Sequence, residues 1–261
     1  MEEFAALLDA LVYTRSRNGK LTLIADYLRR TPDPDRGWAL AALTDGLDFT
    51  AVKAGTVRAL IMERVDPELF ALSRDFVGDT AETVSLLWPE PAGEVPPPPS
   101  VSEAVAALSA MTRATVNAEL SALLDRLDTN GRYALLKLAT GAMRIGISAR
   151  LAKVAFAQAF DVPIDDVEEH WHGQTPPYAA LFDWAAHGGE APSAEHLPLF
   201  RPFMLAHPLE GSAIDMANYA AEWKWDGIRV QLVHVNGESR LYSRSGDDIS
   251  GTFPEVTAAL D

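Results

Sequence analysis

The hydrophobic period of this chain changes once, and that change limits the fold more than any other feature. From residue 2 to about 160 apolar residues recur at helical spacing. Phe4, Leu7, Leu8 and Leu11 make one stripe; Leu21, Ile24, Ala25 and Leu28 make another. After residue 228 the period drops to two. Ile228, Val230 and Leu232 alternate with Arg229 and Gln231 as far as Val235, and Ser239 to Arg244 reads as a returning strand. Between them stands Asn236-Gly237, the residue pair that best tolerates positive φ at both centres of a type I′ turn. A two-residue loop fixes register, so Val235 should face Glu238, Val233 Arg240, Gln231 Tyr242, and Arg229 Arg244. The expected fold class is mainly α: an all-helical N-terminal domain, then a short β-rich segment.

Local signals place the helix boundaries. Pro32 and Pro34 end the second helix. Residues 56–65 and 67–74 predict two short helices, the second opening on Pro67. Asp79 predicts an N-cap, with Glu82 closing a capping box. Six prolines between Pro89 and Ser100 predict a linker or extended crossing. Helices should resume near Ser102 and run to Asp128, where Asp128-Thr129-Asn130-Gly131 predicts a break before a helix over 133–138. Ser148 caps an expected helix over 149–160, and four prolines from Pro192 to Pro208 mark a connection. The expected organisation is a helical domain over 1–190, a linker over 191–204, and an incomplete second domain over 205–261 ending in a helix over 254–260.

At 261 residues the chain suits one large or two ordinary domains, and without cysteine it has neither disulfides nor thiolate metal sites. Its first residues lack the basic and apolar runs of a signal peptide. No apolar stretch approaches the ~20 residues that span a bilayer. A soluble, cytoplasmic protein is expected. His170 and His172 stand beside acids, but nothing completes a ligand set, so no metal site is expected. The acids from Asp161 to Glu169 predict a solvated surface. The net charge of −15 hides one basic window, where Arg126, Arg132, Lys137, Arg144, Arg150 and Lys153 meet a single acid, Asp128. A phosphate backbone needs such a local patch; exposed helix faces are the alternative.

Two stretches carry candidate chemistry. In Glu222-Trp223-Lys224-Trp225-Asp226-Gly227-Ile228-Arg229, Glu222 and Lys224 share one face of the expected strand. Two arginines facing each other across the hairpin repel unless an anion lies between them, so Arg229 and Arg244 with Lys224 and Glu222 suggest a polyphosphate pocket. The alternative is a solvated edge hairpin. In Gly141-Ala142-Met143-Arg144-Ile145-Gly146-Ile147-Ser148, two glycines bracket an arginine just before a capped helix. Free N–H groups at that helix start, with Arg144, Gly146 and Ser148, suit a phosphate, and Arg150 and Lys153 would support the contact. The alternative is a tight interhelical turn.

Glu222-x-Lys224-x-Asp226-Gly227 resembles the nucleotidyl-transfer motif of ATP-dependent DNA ligases. Arg229 stands where that family has its arginine, and Ser243-Arg244-Ser245-Gly246-Asp247 is similar to the family's next motif. The segment Gly-x-x-Arg-x-Gly at 141–146, and Phe76 to Thr83, resemble the helical DNA-binding domain of the bacterial type. The resemblance implies a DNA-binding domain and the start of an adenylation domain, with the chain expected to be the N-terminal portion of a ligase, engineered or truncated. It implies ATP and Mg²⁺ as cofactors, nicked duplex DNA as partner, no membrane and a monomer. It makes Lys224 the nucleophile, with Glu222 recognising adenine, Arg229 the ribose and Arg244 the AMP, while Asp226 orients the loop and Gly227 supplies the turn. Only a neutral lysine amine can attack the α-phosphate of ATP. A DNA-binding module without chemistry, and an RNA ligase or capping enzyme, are the competing readings.

Overall fold

The computed structural model describes every residue except 142, 144, 194–196, 202, 205–216, 218, 221 and 260–261. Among the described residues it is mainly helical, with one small sheet, and the chain divides into two units. The first unit comprises Met1–Val167 and Thr175–Ala191; the second comprises Glu168–Gln174 and Pro192–Asp261.

In the first unit both predicted stripes are buried, on α1 (Glu2–Tyr13) and α2 (Arg17–Arg30). There follow α3 (Asp35–Leu43), α4 (Ala54–Met62) and α5 (Pro67–Val77), which extends past the expected 67–74 until Gly78 ends it at φ +83°. The helix expected over 56–65 starts and stops earlier, as α4. Asp79 caps α6 (Thr80–Leu87) by accepting the Glu82 N–H at 3.0 Å. The proline-rich crossing is tied down at its end, where Pro99 O accepts the Met1 ammonium at 2.8 Å. Ser100 and Glu103 then form a complete capping box on α7 (Val101–Ala110).

After α8 (Val116–Asp125) the structure departs from the sequence expectation. The predicted break at Asn130-Gly131 is the first turn of α9 (Thr129–Thr140), because the Asp128 carboxylate accepts the Gly131 N–H at 2.7 Å. A cap three residues ahead outweighs the turn preference of Asn-Gly.

The helix α10 (Ala149–Phe160) forms over the expected residues and packs along α2. Lys20 near the start of α2 donates to Ile145 O and Gly146 O, while Arg29 near its end donates to Gln158 O and Ala159 O. The two helices therefore run parallel, with their N-termini at the same end. Beyond α11 (Ile164–Trp171) lies α12 (Ala179–His187), a helix that the sequence expectations do not include. Its Phe182 packs edge-on against Phe156 at 5.1 Å, and the Arg36 guanidinium lies 4.6 Å from the Phe182 ring while gripping Asp33. A Cβ at Gly37 would stand 1.9 Å from Pro177 O, so glycine alone permits that approach.

The second unit holds β1 (Val230–Val235) and β2 (Glu238–Ser243), antiparallel in the register the two-residue loop requires. Asn236 and Gly237 adopt φ of 52° and 82°. The ladder closes at Val230 and Ser243, so the expected opposition of Arg229 and Arg244 lies outside it. There the chain turns instead, with Gly246 N–H donating to Ser243 O and Ser243 N–H to Asp247 O. Leu241 and Tyr242 are buried. Tyr242 and His172 both pack edge-on against Phe200, and the Tyr242 hydroxyl donates to Pro198 O at 2.8 Å. The helix expected over 254–260 forms as α13 (Pro254–Thr257), and Leu260 lies outside the described residues.

Candidate functional site

Glu222 to Arg229 is exposed and forms no regular strand. A strand needs a partner for its N–H and C=O groups, and the ladder supplies one only from Val230 onward. The shared face expected for Glu222 and Lys224 therefore does not come from strand geometry. Lys224 stands between two indoles that are 84% and 86% exposed, Trp223 and Trp225. Arg229 donates to Met204 O at 3.0 Å and lies 4.5 Å from the Phe203 ring. Gly227 sits in a bend at an ordinary φ, and a Cβ there would meet nothing within 4 Å, so local geometry does not demand glycine.

Arg244 is exposed in the turn after β2. The turn is organised by Asp247, whose carboxylate accepts the Ser245 hydroxyl at 2.5 Å and the Ser243 hydroxyl at 2.9 Å. Those hydroxyls hold its carboxyl below the usual range. Next to it, the Ser250 hydroxyl and N–H, then Arg240, lower Asp248. Serines and acids thus fix the loop, and Arg244 projects from it.

In the first unit, Gly141 ends α9 at φ +66°, Gly146 turns at φ +66°, and Ser148 caps α10 by accepting the Leu151 N–H at 3.2 Å. Arg150 is exposed and Lys153 half-buried on the first turns of α10; Arg144 lies outside the described residues. The residue that fixes this turn comes from far away in the chain. Lys20 Nζ donates to Ile145 O at 2.6 Å and to Gly146 O at 3.2 Å, across 125 positions or more. No local sequence pattern announces such a contact, and sequence reasoning misses it.

The basic window is corrected by the structure. Arg132 and Lys137 are each 2% exposed. Arg132 donates to Leu124 O and Trp88 O, and Lys137 to the Asp79 carboxylate at 2.5 Å. Arg126 donates to Pro97 O. Burial alone would raise the Asp79 carboxyl, but the Lys137 amine and the Glu82 N–H outweigh it and hold the group below its ordinary value. These three cations serve the fold; Arg150 and Lys153, the other described cations of the window, lie on the first turns of α10. Among the described residues no group of three or more His, Asp or Glu side chains could hold a metal ion, and no helix is long and apolar enough to cross a membrane.

Residues 203–261, which contain both motifs of the second unit, match the model of the ATP dependent DNA ligase domain. Over these residues the chain belongs to the ATP-dependent DNA ligase family. The "Probable DNA ligase" of Beutenbergia cavernae is 32% identical over 275 aligned residues, covering 100% of this chain and 49% of that protein. "DNA ligase 1" of Korarchaeum cryptofilum is 27% identical over 98% of this chain and 49% of its own length. The "DNA ligase" of Haloarcula marismortui is 34% identical over 54% of this chain and 26% of its own length. The chain thus spans at most about half the length of these relatives. For the first two, similarity reaches across the helical unit as well as the hairpin, which an isolated nucleotide-binding motif would not produce.

Proposed function

We propose that this chain supplies the DNA-binding part and the first nucleotide-transfer motifs of an ATP-dependent DNA ligase that seals nicks in duplex DNA. The observation that carries the reading is the ligase-domain match over 203–261, within which Glu222-x-Lys224-x-Asp226-Gly227 stands exposed to solvent. In this proposal the helical domain over 1–190 holds the duplex, 191–204 connects, and 205–261 begins the adenylation domain. The neutral Lys224 amine attacks the α-phosphorus of ATP; the N–P bond forms as the bond to pyrophosphate breaks, leaving lysyl-AMP. The AMP passes to the 5′-phosphate at the nick, and the 3′-hydroxyl displaces it. Glu222 recognises the adenine, Arg229 the ribose and Arg244 the AMP.

Mg²⁺, when bound with ATP, would supply neutralisation of the charge on the leaving pyrophosphate. On the DNA side, Arg144, Gly146, Ser148, Arg150 and Lys153 contact the phosphate backbone. The ligase is proposed to act as a monomer in the cytoplasm.

Intact mass after incubation with ATP and Mg²⁺ tests the chemistry. One AMP adduct on the parent chain, absent from a Lys224→Ala variant that folds normally, is expected. No adduct on either leaves a DNA-binding chain without chemistry of its own, and an adduct on both removes Lys224 from the role.

A further inference from the structure

Parallel packing brings the starts of α2 and α10 side by side. Because Lys20 meets Ile145 and Gly146 while Arg29 meets Gln158 and Ala159, the start of α2 lies beside the turn that precedes α10. The start of α2 is basic: Arg15 and Arg17 are exposed, Lys20 is half-buried, and the first turn holds no acid. The first turn of α10 likewise holds no acid and carries Arg150, with Lys153 one turn on. Arg15, Arg17, Lys20, Arg150 and Lys153 therefore gather at one end of the helix pair. The adjoining cavity of about 370 Å³, lined by Ile145 and Ile147, adds a single acid, Asp45. In a chain of net charge −15, five basic residues at one end of a helix pair are a local concentration of cations.

Helix stability does not account for this placement. Cations at a helix N-terminus oppose the macrodipole, and acids there would be favoured instead. Lys20 relieves its own cost by donating to two carbonyls, which fixes the backbone at Gly146. Arg15 and Arg17 are exposed at the helix start, and their guanidiniums suit phosphate oxygens.

We propose that the duplex-binding surface extends onto the start of α2, where Arg15 and Arg17 contact the phosphate backbone and Lys20 is a positioning residue that holds the Gly146 turn against it. The proposal rests on the DNA-binding reading of the helical domain and adds three residues that neither motif contains.

Fluorescence anisotropy of a labelled nicked duplex with the full chain, across a salt series, provides the test. Each phosphate that a cation no longer neutralises should flatten the plot of log affinity against log salt by about 0.9, so Arg15→Gln/Arg17→Gln should flatten it by nearly two. Lys20→Met should weaken binding at constant melting temperature, and Lys20→Arg, which keeps a donor for the carbonyls, should restore it. If the double variant binds with the parent's affinity and slope, the extended surface is wrong while the DNA reading stands. If Lys20→Arg fails to rescue, Lys20 does not act through the turn. A parent chain that does not bind the duplex at all overturns both readings.

Discussion

The helical unit buries three of its basic residues, whereas the basic residues of the hairpin unit's candidate motifs stay exposed. In the first, Arg36, Arg132 and Lys137 are buried and each grips an acid or a carbonyl, so their charges belong to the fold. In the second, Lys224 and Arg244 lie on the surface, where no packing fixes them. A cation's neighbours along the chain therefore do not reveal its task. Lys137 stands in the most basic window of the sequence and is internal, whereas Lys224 lies near acids and is open to solvent.

The variant with the largest expected effect, and the one that could overturn this contrast, is Lys137→Ala. It removes the amine partner of the Asp79 carboxylate, which is 32% exposed and keeps the Glu82 N–H, and loss of a hydrogen bond to a charged group costs about 1.5–3 kcal/mol. Chemical denaturation should show that loss; a change below about 0.5 kcal/mol would place Lys137 with the surface cations. The same pair sets an acid limb. The Asp79 carboxyl is lowered in the folded state, so its contribution is present above the ordinary value of 3.8 and is lost as pH falls through the lowered one. The parent's stability should therefore drop below about pH 4, and this drop should shrink in Lys137→Ala.

A middle-sized effect extends the contrast to the backbone. Gly237 holds φ +82° with nothing within 4 Å of a Cβ, so Gly237→Ala should cost about 1–2 kcal/mol through left-handed strain alone. Asp128→Ala should cost about 1 kcal/mol by removing the cap that holds Gly131 in α9. Thermal melts would rank the two; a larger loss for Asp128 would mean that the cap also supports the helix packing. The smallest effect is expected for Arg244→Gln, which should leave the melting curve unchanged because the turn is tied by Ser243, Ser245 and Asp247. A clear shift would show that Arg244 has a structural role after all.

Much of the fold was legible where the signal is local. The stripes of α1 and α2, the caps at Asp79 and Ser148, the helix from Ala149 to Phe160 and the hairpin at Asn236-Gly237 follow from spacing and φ preference. The candidate motif at 222–229 was legible as residues but not as shape, since the expected strand lacks a ladder before Val230.

The two Asn-Gly pairs show where local preference stops deciding the structure. At 236–237 the flanking strands pair with each other and no cap competes, so the turn preference prevails. At 130–131 the same dipeptide is drawn into a helix, because Asp128 caps it and α9 packs against α1 and α6. Periodicity, caps and turns were set by neighbours along the chain and could be read from it. The burial of Arg132 and Lys137, and the meeting of Lys20 with Gly146, arose only when the chain folded. Their partners include residues dozens to more than a hundred positions away, and desolvation of a charge depends on everything packed around it.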